Sequence, residues 1–525
     1  MNNGNENNPI VYITGAGPGD PELLTLKAKE IIEVADVIAY DNLVSKEILE
    51  LALFLNPKVK LIYVGKIGGG KDHSVIQEHI NKLLLGLSKD YKTICRLKGG
   101  DPTVFGRGGE EAIFLKENNI DFEIVPGVSS ITAVPAYAGI PLTHRECTSS
   151  FTVLTAHADP DDPSNTINWE DFDAKNSTLV LLMGVKNFSK IIKKLISLGR
   201  NTNTPIAIIY WGTTSKQITI TTKLSSAVED IEKHKIKAPS IIVIGEVVNY
   251  RKVLNWFETK KLFGKRILIT RSKEQSFSFA SKLIKAGACP ISCPIVSYEL
   301  VEKEVYNKNI INNLSNYDWI FFTSQNAVKY FFEILNKNCY DSRALSKVQI
   351  AAVGHKTKQE LTKYNIKADF VPKRFSFEDL INELSEKEHL QNKKILHPTQ
   401  VEAIHELPQQ KITIWPIYKP IFTNELDEEI INQIKEGIDI FTFFSSNTVI
   451  HFAKLIEKHN LKDWVCGHKP LYAAIGEETA KTTKELFSKV DIIAEPFTEE
   501  GLITSMEKFF VVETLRAMSL QGIQS

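Results

Sequence analysis

Three glycines alternate near the amino terminus, at Gly15, Gly17 and Gly19. They follow a strand-like run and precede a helical pattern, and a glycine turn in that position lets backbone N–H groups approach a ligand closely. Asp41 ends a second strand-like run about twenty residues later, where a dinucleotide fold places a ribose-binding acid. However, Asp20 stands at the third glycine position of that fold, and Pro18 and Pro21 stiffen the turn. The spacing favours a fixed pocket edge, with ordinary loop geometry as the alternative.

A second glycine-rich segment strengthens the prediction of a ligand site. Residues 93–111 read TICRLKGGDPTVFGRGGEE, in which a strand-like run leads into Gly99–Pro102 and then into Gly106–Gly109. An acidic helix start follows. The two glycine turns therefore both follow predicted strands and precede predicted helices, as backbone binding of a ligand requires.

Strand-like and helical segments alternate along the chain, which predicts an α/β fold. The first predicted helix covers Leu23–Val34. After the charged connection Lys260–Gly264, a new strand at Ile267–Thr270 restarts the pattern, and this predicts a domain boundary near residue 260. The second half contains an internal repeat: the segments at 318–328 and 350–357 parallel those at 439–449 and 472–479. Repeated strand–turn–helix units imply two similar lobes facing a cleft, or a scaffold alone.

Composition limits the classes of function. The 525 residues predict two to four domains, and 63 basic against 63 acidic residues give no field that would attract nucleic acid or a membrane. No run is long enough for a membrane span, and the polar start MNNGNENNP predicts a disordered tail over residues 1–8 rather than a signal peptide. The six cysteines are scattered, so we expect reduced thiols in a cytoplasmic protein and no metal site.

The first half resembles the S-adenosylmethionine-dependent tetrapyrrole methyltransferases, most closely the uroporphyrinogen-III C-methyltransferases. Besides the two glycine segments, matching strings occur in the order of that family: VGK at 64–66, VPGVSSITAVPAYAGIPLTHR at 125–145, LLMG at 181–184, TPIAIIYWGTT at 204–214 and APSIIVIGEVV at 238–248. The resemblance covers residues 9–257 and implies a two-lobed methyltransferase fold. It also implies dimerisation through this half.

The resemblance implies methylation of uroporphyrinogen III by S-adenosylmethionine, giving precorrin-2 after two rounds, without a metal. In that family Asp41 would be the proton acceptor and Lys66 the proton donor, although each has a structural alternative as a strand-end carboxylate or a solvated lysine. The implied cofactor contacts are Pro18, Gly99, Gly100, Asp101, Val104, Ser129, Ser130, Met183 and Gly212.

The octacarboxylate substrate requires guanidinium groups in an otherwise neutral chain. Arg107 and Arg145 lie in the matching motifs, and Glu110 would bond pyrrole N–H groups or orient Arg107. The departures from the family pattern are small: Thr103, Ser129 and Ala156 replace Phe, Thr and Gly. Thr103 is expected to loosen packing near the cofactor.

The second half resembles uroporphyrinogen-III synthase through short motifs: ILITR at 267–271, two SxNxV turns, two glycine-containing turns ending in Thr357 and Thr479, PIYKP at 416–420 and TEEGL at 498–502. A two-lobed α/β synthase fold would cover residues 265–510 after a linker at 258–264. Lobe one would comprise 265–297 plus 421–510, and lobe two 298–420. Residues 511–525 lie past the resemblance and receive no role.

The synthase family closes hydroxymethylbilane with inversion of one ring and loss of water. By resemblance, Tyr418 would assist the departing hydroxyl, and Thr357, Ser446 and Thr479 would hold substrate carboxylates. The alternative for Tyr418 is a strand tyrosine that packs on Trp415.

The sequence therefore predicts a bifunctional enzyme of tetrapyrrole biosynthesis that acts on small-molecule tetrapyrroles. Three alternatives stay open: a methyltransferase for another precorrin, a second half that only binds or scaffolds, and a dinucleotide oxidoreductase. The glycine spacing disfavours the last. No segment resembles the dehydrogenase–ferrochelatase module of full sirohaem synthases.

Overall fold

The computed structural model describes residues 8–65, 73–162, 167, 169, 177–301, 304–374, 376–387, 389–401, 412–467 and 469–521. Most of the predicted amino-terminal tail, and Lys66, lie outside these ranges. No described helix combines the length and the apolar character that a membrane span needs.

The first half alternates strands and helices. In chain order these are β1 (Ile10–Gly15), α1 (Leu26–Val34), β2 (Val37–Tyr40), α2 (Lys46–Leu55), β3 (Lys60–Tyr63), α3 (His73–Asp90), β4 (Thr93–Lys98), α4 (Gly108–Glu117), β5 (Asp121–Val125), α5 (Ser130–Tyr137), β6 (Phe151–Thr155), β7 (Thr178–Leu182), α6 (Phe188–Ser197), β8 (Pro205–Tyr210), β9 (Ile218–Lys223), α7 (Ala227–Lys233), β10 (Ser240–Ile244) and α8 (Arg251–Leu254).

Two sheets divide this half. The first is wholly parallel, in the order β3-β2-β4-β1-β5, and its apolar strands are buried between helices on both faces. The second has the order β6-β7-β10-β8-β9, with β10 antiparallel to both of its neighbours. The parallel order brings the carboxyl ends of β1, β2, β4 and β5 to one edge, where their turns meet.

Helix α1 begins three residues later than the sequence pattern predicts. The Thr25 hydroxyl accepts a hydrogen bond from the N–H of Ala28 at 3.1 Å and caps the helix at Leu26. Residues Pro21–Leu23 form a separate 3-10 turn instead, capped by the Asp20 carboxylate through the N–H of Glu22.

The second half follows the same alternation. Its elements are β11 (Arg266–Ile269), α9 (Lys273–Lys285), β12 (Cys289–Ser292), β13 (Val296–Leu300), α10 (Glu304–Asn312), β14 (Trp319–Phe322), α11 (Gln325–Lys337), β15 (Gln349–Ala352), α12 (His355–Thr362), α13 (Phe377–Lys387), β16 (Ile395–Gln400), β17 (Ile412–Phe422), α14 (Glu428–Lys435), β18 (Ile440–Phe443), α15 (Ser446–Lys458), α16 (Lys462–Gly467), β19 (Leu471–Ala474), α17 (Glu477–Phe487), β20 (Ile492–Ile493) and α18 (Glu499–Gln521).

These elements form two lobes, each built on its own sheet. The first lobe carries the parallel order β12-β11-β18-β19-β20, and the second carries β13-β17-β16-β14-β15, with β13 antiparallel to β17. The chain passes between the lobes along β13 and β17, and α18 continues to Gln521. Each sheet has its own apolar core.

The two halves touch through α2 and α9. The rings of Phe54 and Phe277 stack with 4.2 Å between centroids, and Lys46 pairs with Glu429. The connecting segment is also held in place, since the N–H of Gly264 donates to the carbonyl of Gly287 at 3.0 Å.

Candidate functional sites

Three turns meet at the carboxyl edge of the first sheet. Gly17 and Gly100 pair through N–H···O bonds of 2.7 and 3.2 Å, which joins the turn after β1 to the turn after β4. The turn after β5 packs against both, so closely that a Cβ on Gly127 would lie 2.3 Å from the Gly100 carbonyl oxygen and 2.8 Å from the Gly15 Cα. Only glycine backbones allow three turns to cross at this distance.

The crossing leaves one glycine facing open space. Gly100 has φ +70°, and the nearest atom to its ideal Cβ is the backbone nitrogen of Ser130 at 3.9 Å. Ser129 caps α5 by accepting the N–H of Ile131, so the amino end of this helix lies beside the glycine turn. Backbone donors and an open glycine surface form a cradle for a small polar ligand.

The second sheet contributes loops to the same site. Met183, with φ +57°, follows β7 and is half exposed. Gly212 follows β8, and a Cβ there would lie 2.3 Å from Val134 of α5. The N–H of Asp20 in the glycine turn donates to the Thr213 hydroxyl at 3.3 Å. The turn after β8 therefore lies against α5 and the first glycine turn, which joins the two sheets at this point.

Asp101 is a carboxylate that joins the turn after β4 to the turn after β5. It accepts hydrogen bonds from the Thr103 N–H at 2.8 Å, the Thr103 hydroxyl at 2.6 Å and the Gly127 N–H at 3.1 Å. Burial acts to raise the pKa of Asp101, but these hydrogen bonds outweigh it and hold the pKa below its usual value. Thr103, expected to loosen packing, thus ties the carboxylate in place.

The cleft has the chemistry that an adenosyl sulfonium cofactor needs. Open glycine backbone accommodates a flat ring, and an ionised carboxylate accepts ribose hydroxyls or attracts a positive charge. The remaining predicted contacts lie on the same turns, with Pro18 between Gly17 and Gly19, Gly99 packed against Leu43, and Val104 exposed after Asp101.

Asp41 is the partly exposed end of a buried network of charged side chains. Its carboxylate accepts a hydrogen bond from Arg96 Nη2 at 3.3 Å. Arg96 Nε donates a second hydrogen bond to Glu111 Oε1, also at 3.3 Å. Lys98 Nζ donates to the same Glu111 oxygen at 2.8 Å. Burial and the nearby guanidinium of Arg96 lower the pKa of Lys98, against the attraction of Glu111. Arg96, only 2% exposed, therefore holds Asp41 from behind.

The predicted substrate-binding residues are more exposed. Arg107, with φ +59°, forms a two-bond fork with Glu110 at 2.7 and 2.9 Å, and this hydrogen bonding raises the pKa of the guanidinium. Glu110 is thus a hydrogen-bond partner of Arg107, and its role toward a substrate stays a prediction. Arg145 lies exposed on the loop after α5 and forms no hydrogen bond or ion pair to other site residues within the described ranges.

In the second half, hydroxyl-bearing turns follow the carboxyl ends of parallel strands. Ser446 begins α15 after β18, and Thr357 and Thr479 lie in the first turns of α12 and α17. The Ser446 hydroxyl donates to the carbonyl of Glu478 at 3.3 Å, which joins two turns of one lobe. Thr357 and Thr479 are 5% exposed.

Tyr418 lies in β17, the strand that links the lobes, and is 5% exposed. Its hydroxyl is 2.9 Å from the Ser324 hydroxyl, and its ring stacks on Tyr330 and meets Tyr298 edge-on. Burial raises the pKa of the phenol, so it stays protonated at neutral pH. Trp415 belongs to the same apolar cluster, and the role of Tyr418 toward a substrate stays a prediction.

Several residues of these sites were not predicted. Arg96 and Lys98 carry charges on β4, whose residues from Ile94 to Lys98 are all buried, and a charge within a mostly apolar strand was a readable signal. Arg271 and Glu499 lie in the short motifs ILITR and TEEGL, but nothing in the sequence indicates that they pair, because they meet with Lys282 and Lys356 only through the fold. No group of three or more His, Cys, Asp or Glu side chains in the described part of the chain has an arrangement that would bind a metal.

Two family models match separate parts of the chain. Residues 10–228 match the family model of the tetrapyrrole (corrin/porphyrin) methylases, and residues 278–504 match that of uroporphyrinogen-III synthase HemD.

Curated relatives match the whole chain or its first half. A porphyrin biosynthesis protein HemD of Ruminiclostridium josui is 34% identical over 95% of this chain and 97% of its own length. A uroporphyrinogen-III C-methyltransferase of Bacillus subtilis is 48% identical over 48% of this chain and 95% of its own length. An S-adenosyl-L-methionine-dependent uroporphyrinogen III methyltransferase of Methanosarcina barkeri is 46% identical over 46% of this chain and 94% of its own length.

Proposed function

The chain belongs to the tetrapyrrole methylases in its first half and to the uroporphyrinogen-III synthases in its second, and from this premise we propose that it catalyses consecutive steps. The second half cyclises hydroxymethylbilane to uroporphyrinogen III. The first half then methylates this product twice to precorrin-2. The main support for the proposal is that one chain contains both sites. The first half has a glycine-lined cleft with an ionised Asp101, and the second half has a separate cleft between two lobes.

In the first half, the chain binds and orients the reactants. Bound S-adenosylmethionine supplies an electrophilic methyl group. Asp101 holds the polar end of the cofactor, while the open backbone of Gly100 admits its flat ring. The full set of cofactor contacts is Pro18, Gly99, Gly100, Asp101, Val104, Ser129, Ser130, Met183 and Gly212.

A macrocycle that takes up a methyl cation at a pyrrole carbon gains a positive charge, so a proton must later leave the macrocycle to restore neutrality. Asp41 is the proposed acceptor, and its attachment to Arg96 fixes the direction of its carboxylate. Lys66 is the proposed donor. Arg107, oriented by Glu110, and Arg145 bind carboxylates of the macrocycle.

In the second half, Tyr418 donates a hydrogen bond to the departing hydroxyl of hydroxymethylbilane, and its raised pKa keeps the phenol in the donating form. Loss of that hydroxyl as water leaves a resonance-stabilised cation, so the lobes mainly hold the linear chain in a closed shape. Thr357, Ser446 and Thr479 hold substrate carboxylates. A homodimer through the methyltransferase half and a cytoplasmic location complete the proposal.

Separate assays of the purified full chain test the two activities. Hydroxymethylbilane alone should yield the type III isomer of uroporphyrinogen, whereas spontaneous closure yields type I. Uroporphyrinogen III with S-adenosylmethionine under anaerobic conditions should yield a dimethylated product. Type I alone would mean that the second half only binds tetrapyrroles, and an unmethylated macrocycle would refute the first activity.

A further inference from the structure

Glu499 lies at the centre of a cluster of cations in the second half. Its carboxylate is paired with Arg271, with Lys282 Nζ at 2.7 Å and with Lys356 Nζ at 2.5 Å, and the residue is only 5% exposed. Glu500 also pairs with Lys282, at 2.5 Å. Three cations therefore face two carboxylates, which leaves a surplus positive charge in one place.

The cluster joins the two lobes. Arg271 lies two residues past the end of β11, and Glu499 begins α18 on the same lobe, whereas Lys356 lies in α12 of the other lobe. The Lys356–Glu499 pair therefore crosses the cleft. Both lobes present the carboxyl ends of their parallel strands there, which is where polar turns can face a ligand.

The cluster also borders the proposed catalytic groups. Lys356 immediately precedes Thr357, and the Arg271 guanidinium lies 4.4 Å from the centre of the Phe444 ring, two residues before Ser446. On the other side, Tyr298 contacts the ring of Tyr418, and the charge of Arg271 acts on the Tyr298 phenol. A carboxylate bound by Arg271 and Lys356 would thus lie among the residues proposed to act on hydroxymethylbilane.

The geometry points to a carboxylate subsite for hydroxymethylbilane, formed by Arg271 and Lys356 and occupied by the Glu499 side chain in the ligand-free chain. This inference rests on the proposed synthase activity and deepens it. A carboxylate of the substrate replaces Glu499 as the partner of Lys356, while Lys282 stays with Glu499 and compensates its charge. The planar guanidinium of Arg271 can bind a carboxylate through two parallel hydrogen bonds, and the flexible side chain of Lys356 lets its ammonium change partners.

The variant Lys356→Met tests the subsite, with steady-state cyclisation of hydroxymethylbilane by the full chain as the measurement. We expect KM to rise about tenfold while kcat stays within about twofold, because the lost contact binds the ground state and the transition state alike. Lys356→Arg retains the charge and should keep KM near the wild-type value. An unchanged KM in Lys356→Met would overturn the inference.

Lys329→Met is the matched control. Lys329 is exposed and also forms an ion pair between the lobes, with Glu274 at 3.7 Å, but it lies outside the cluster. Its removal should leave KM unchanged. An equal rise in both methionine variants would show that lobe tethering, and not carboxylate binding, sets KM.

The variant Glu499→Gln tests whether Glu499 competes with the substrate for Lys356 or only holds the cations in place. If Glu499 competes with the substrate for Lys356, its neutralisation should lower KM severalfold, whereas a rise in KM would show that Glu499 only supports the cations and would overturn its proposed role. A wild-type chain that yields type I isomer alone would refute the synthase activity itself. An active wild type with an unaffected Lys356→Met variant would refute the subsite alone.

Discussion

Charged side chains that are withdrawn from solvent support both proposed sites. Arg96 connects Asp41 to Glu111 beneath the methyltransferase cleft, and Glu499 gathers cations beneath the synthase cleft. Buried charges are costly unless they are paired, and the loss of one partner is strongly destabilising. We therefore infer that Arg96 fixes the position of Asp41 and that Glu499 fixes the positions of its cationic partners.

Arg96→Lys should lower the methylation kcat by about 10- to 100-fold, because a single ammonium cannot reach Glu111 and Asp41 in the way that a fork does. The measurement is a double-mutant cycle with Asp41→Asn. If Arg96 acts by positioning Asp41, the lysine substitution should change kcat by less than about twofold in the Asp41→Asn background.

Affinity for S-adenosylhomocysteine serves as the control in this cycle, since Asp101 lies on a different turn and its hydrogen bonds do not involve Arg96. The affinity should be equal in all four proteins. Losses of kcat that multiply across the cycle would contradict a positioning role and indicate general damage to the fold.

Glu499 should make the second half sensitive to acid. Burial acts to raise the pKa of Glu499, but hydrogen bonds from Lys282 and Lys356 and the charge of Arg271 lower it to about 2. A folded-state pKa below the ordinary value contributes stability above about pH 4.5, and that contribution is lost as pH falls toward the folded pKa. At most about 3 kcal/mol is involved.

Urea unfolding of wild type and Glu499→Gln measures this contribution. The difference in free energy of unfolding should be constant above about pH 5 and shrink steadily below it. Glu500→Gln is the comparison: hydrogen bonding to Lys282 also lowers the pKa of Glu500, but this carboxylate is largely exposed, so its pH-dependent difference should be smaller. A difference that does not change with pH would contradict the account.

At the scale of elements, the glycine turns work as a unit. The turns after β1, β4 and β5 cross within backbone contact, so the position of each depends on the absence of side chains in the others. The parallel order of the sheet brings them together, since their sequence positions are far apart.

Gly127→Ala should weaken binding of S-adenosylhomocysteine by at least about tenfold, because the new methyl group would displace the Gly100 carbonyl and open the cradle. Isothermal titration calorimetry gives the affinity. Gly109→Ala is the matched control: a Cβ there meets no atom within 4 Å, and alanine favours the helix by about 0.5–1 kcal/mol. Equal affinities in both variants would contradict the proposed cradle.

At the scale of the whole molecule, the sequence predicted the alternation of strands and helices and both family assignments, because glycine turns and apolar strands are local signals. It did not predict the start of α1, which depends on the Thr25 cap, or the Arg96 and Glu499 clusters. The Glu499 partners are separated by long stretches of chain, and only the assembled lobes bring them together. The individual site roles of Asp41, Lys66 and Tyr418 stay predictions.

The position of the groove between the two halves is relevant to the transfer of uroporphyrinogen III from one half to the other. This groove at their junction is lined by Trp211 and Lys216 on one side and by Lys265 and Asp439 on the other. Asp439 lies at the amino end of β18, whereas the proposed synthase turns lie at the carboxyl ends of the strands. The groove therefore opens at the opposite edge of the lobe from the synthase cleft.

One chain is proposed to perform both reactions. Hydroxymethylbilane and S-adenosylmethionine carrying a trideuterated methyl group, supplied together under anaerobic conditions, test it directly by mass and isomer analysis of the product. Tyr418→Phe and Asp101→Asn should each block one step, and a mixture of the two variants should restore both. A bifunctional chain should yield a type III macrocycle with two labelled methyl groups. Type I product alone would contradict the synthase half, and unlabelled type III product would contradict the methyltransferase half.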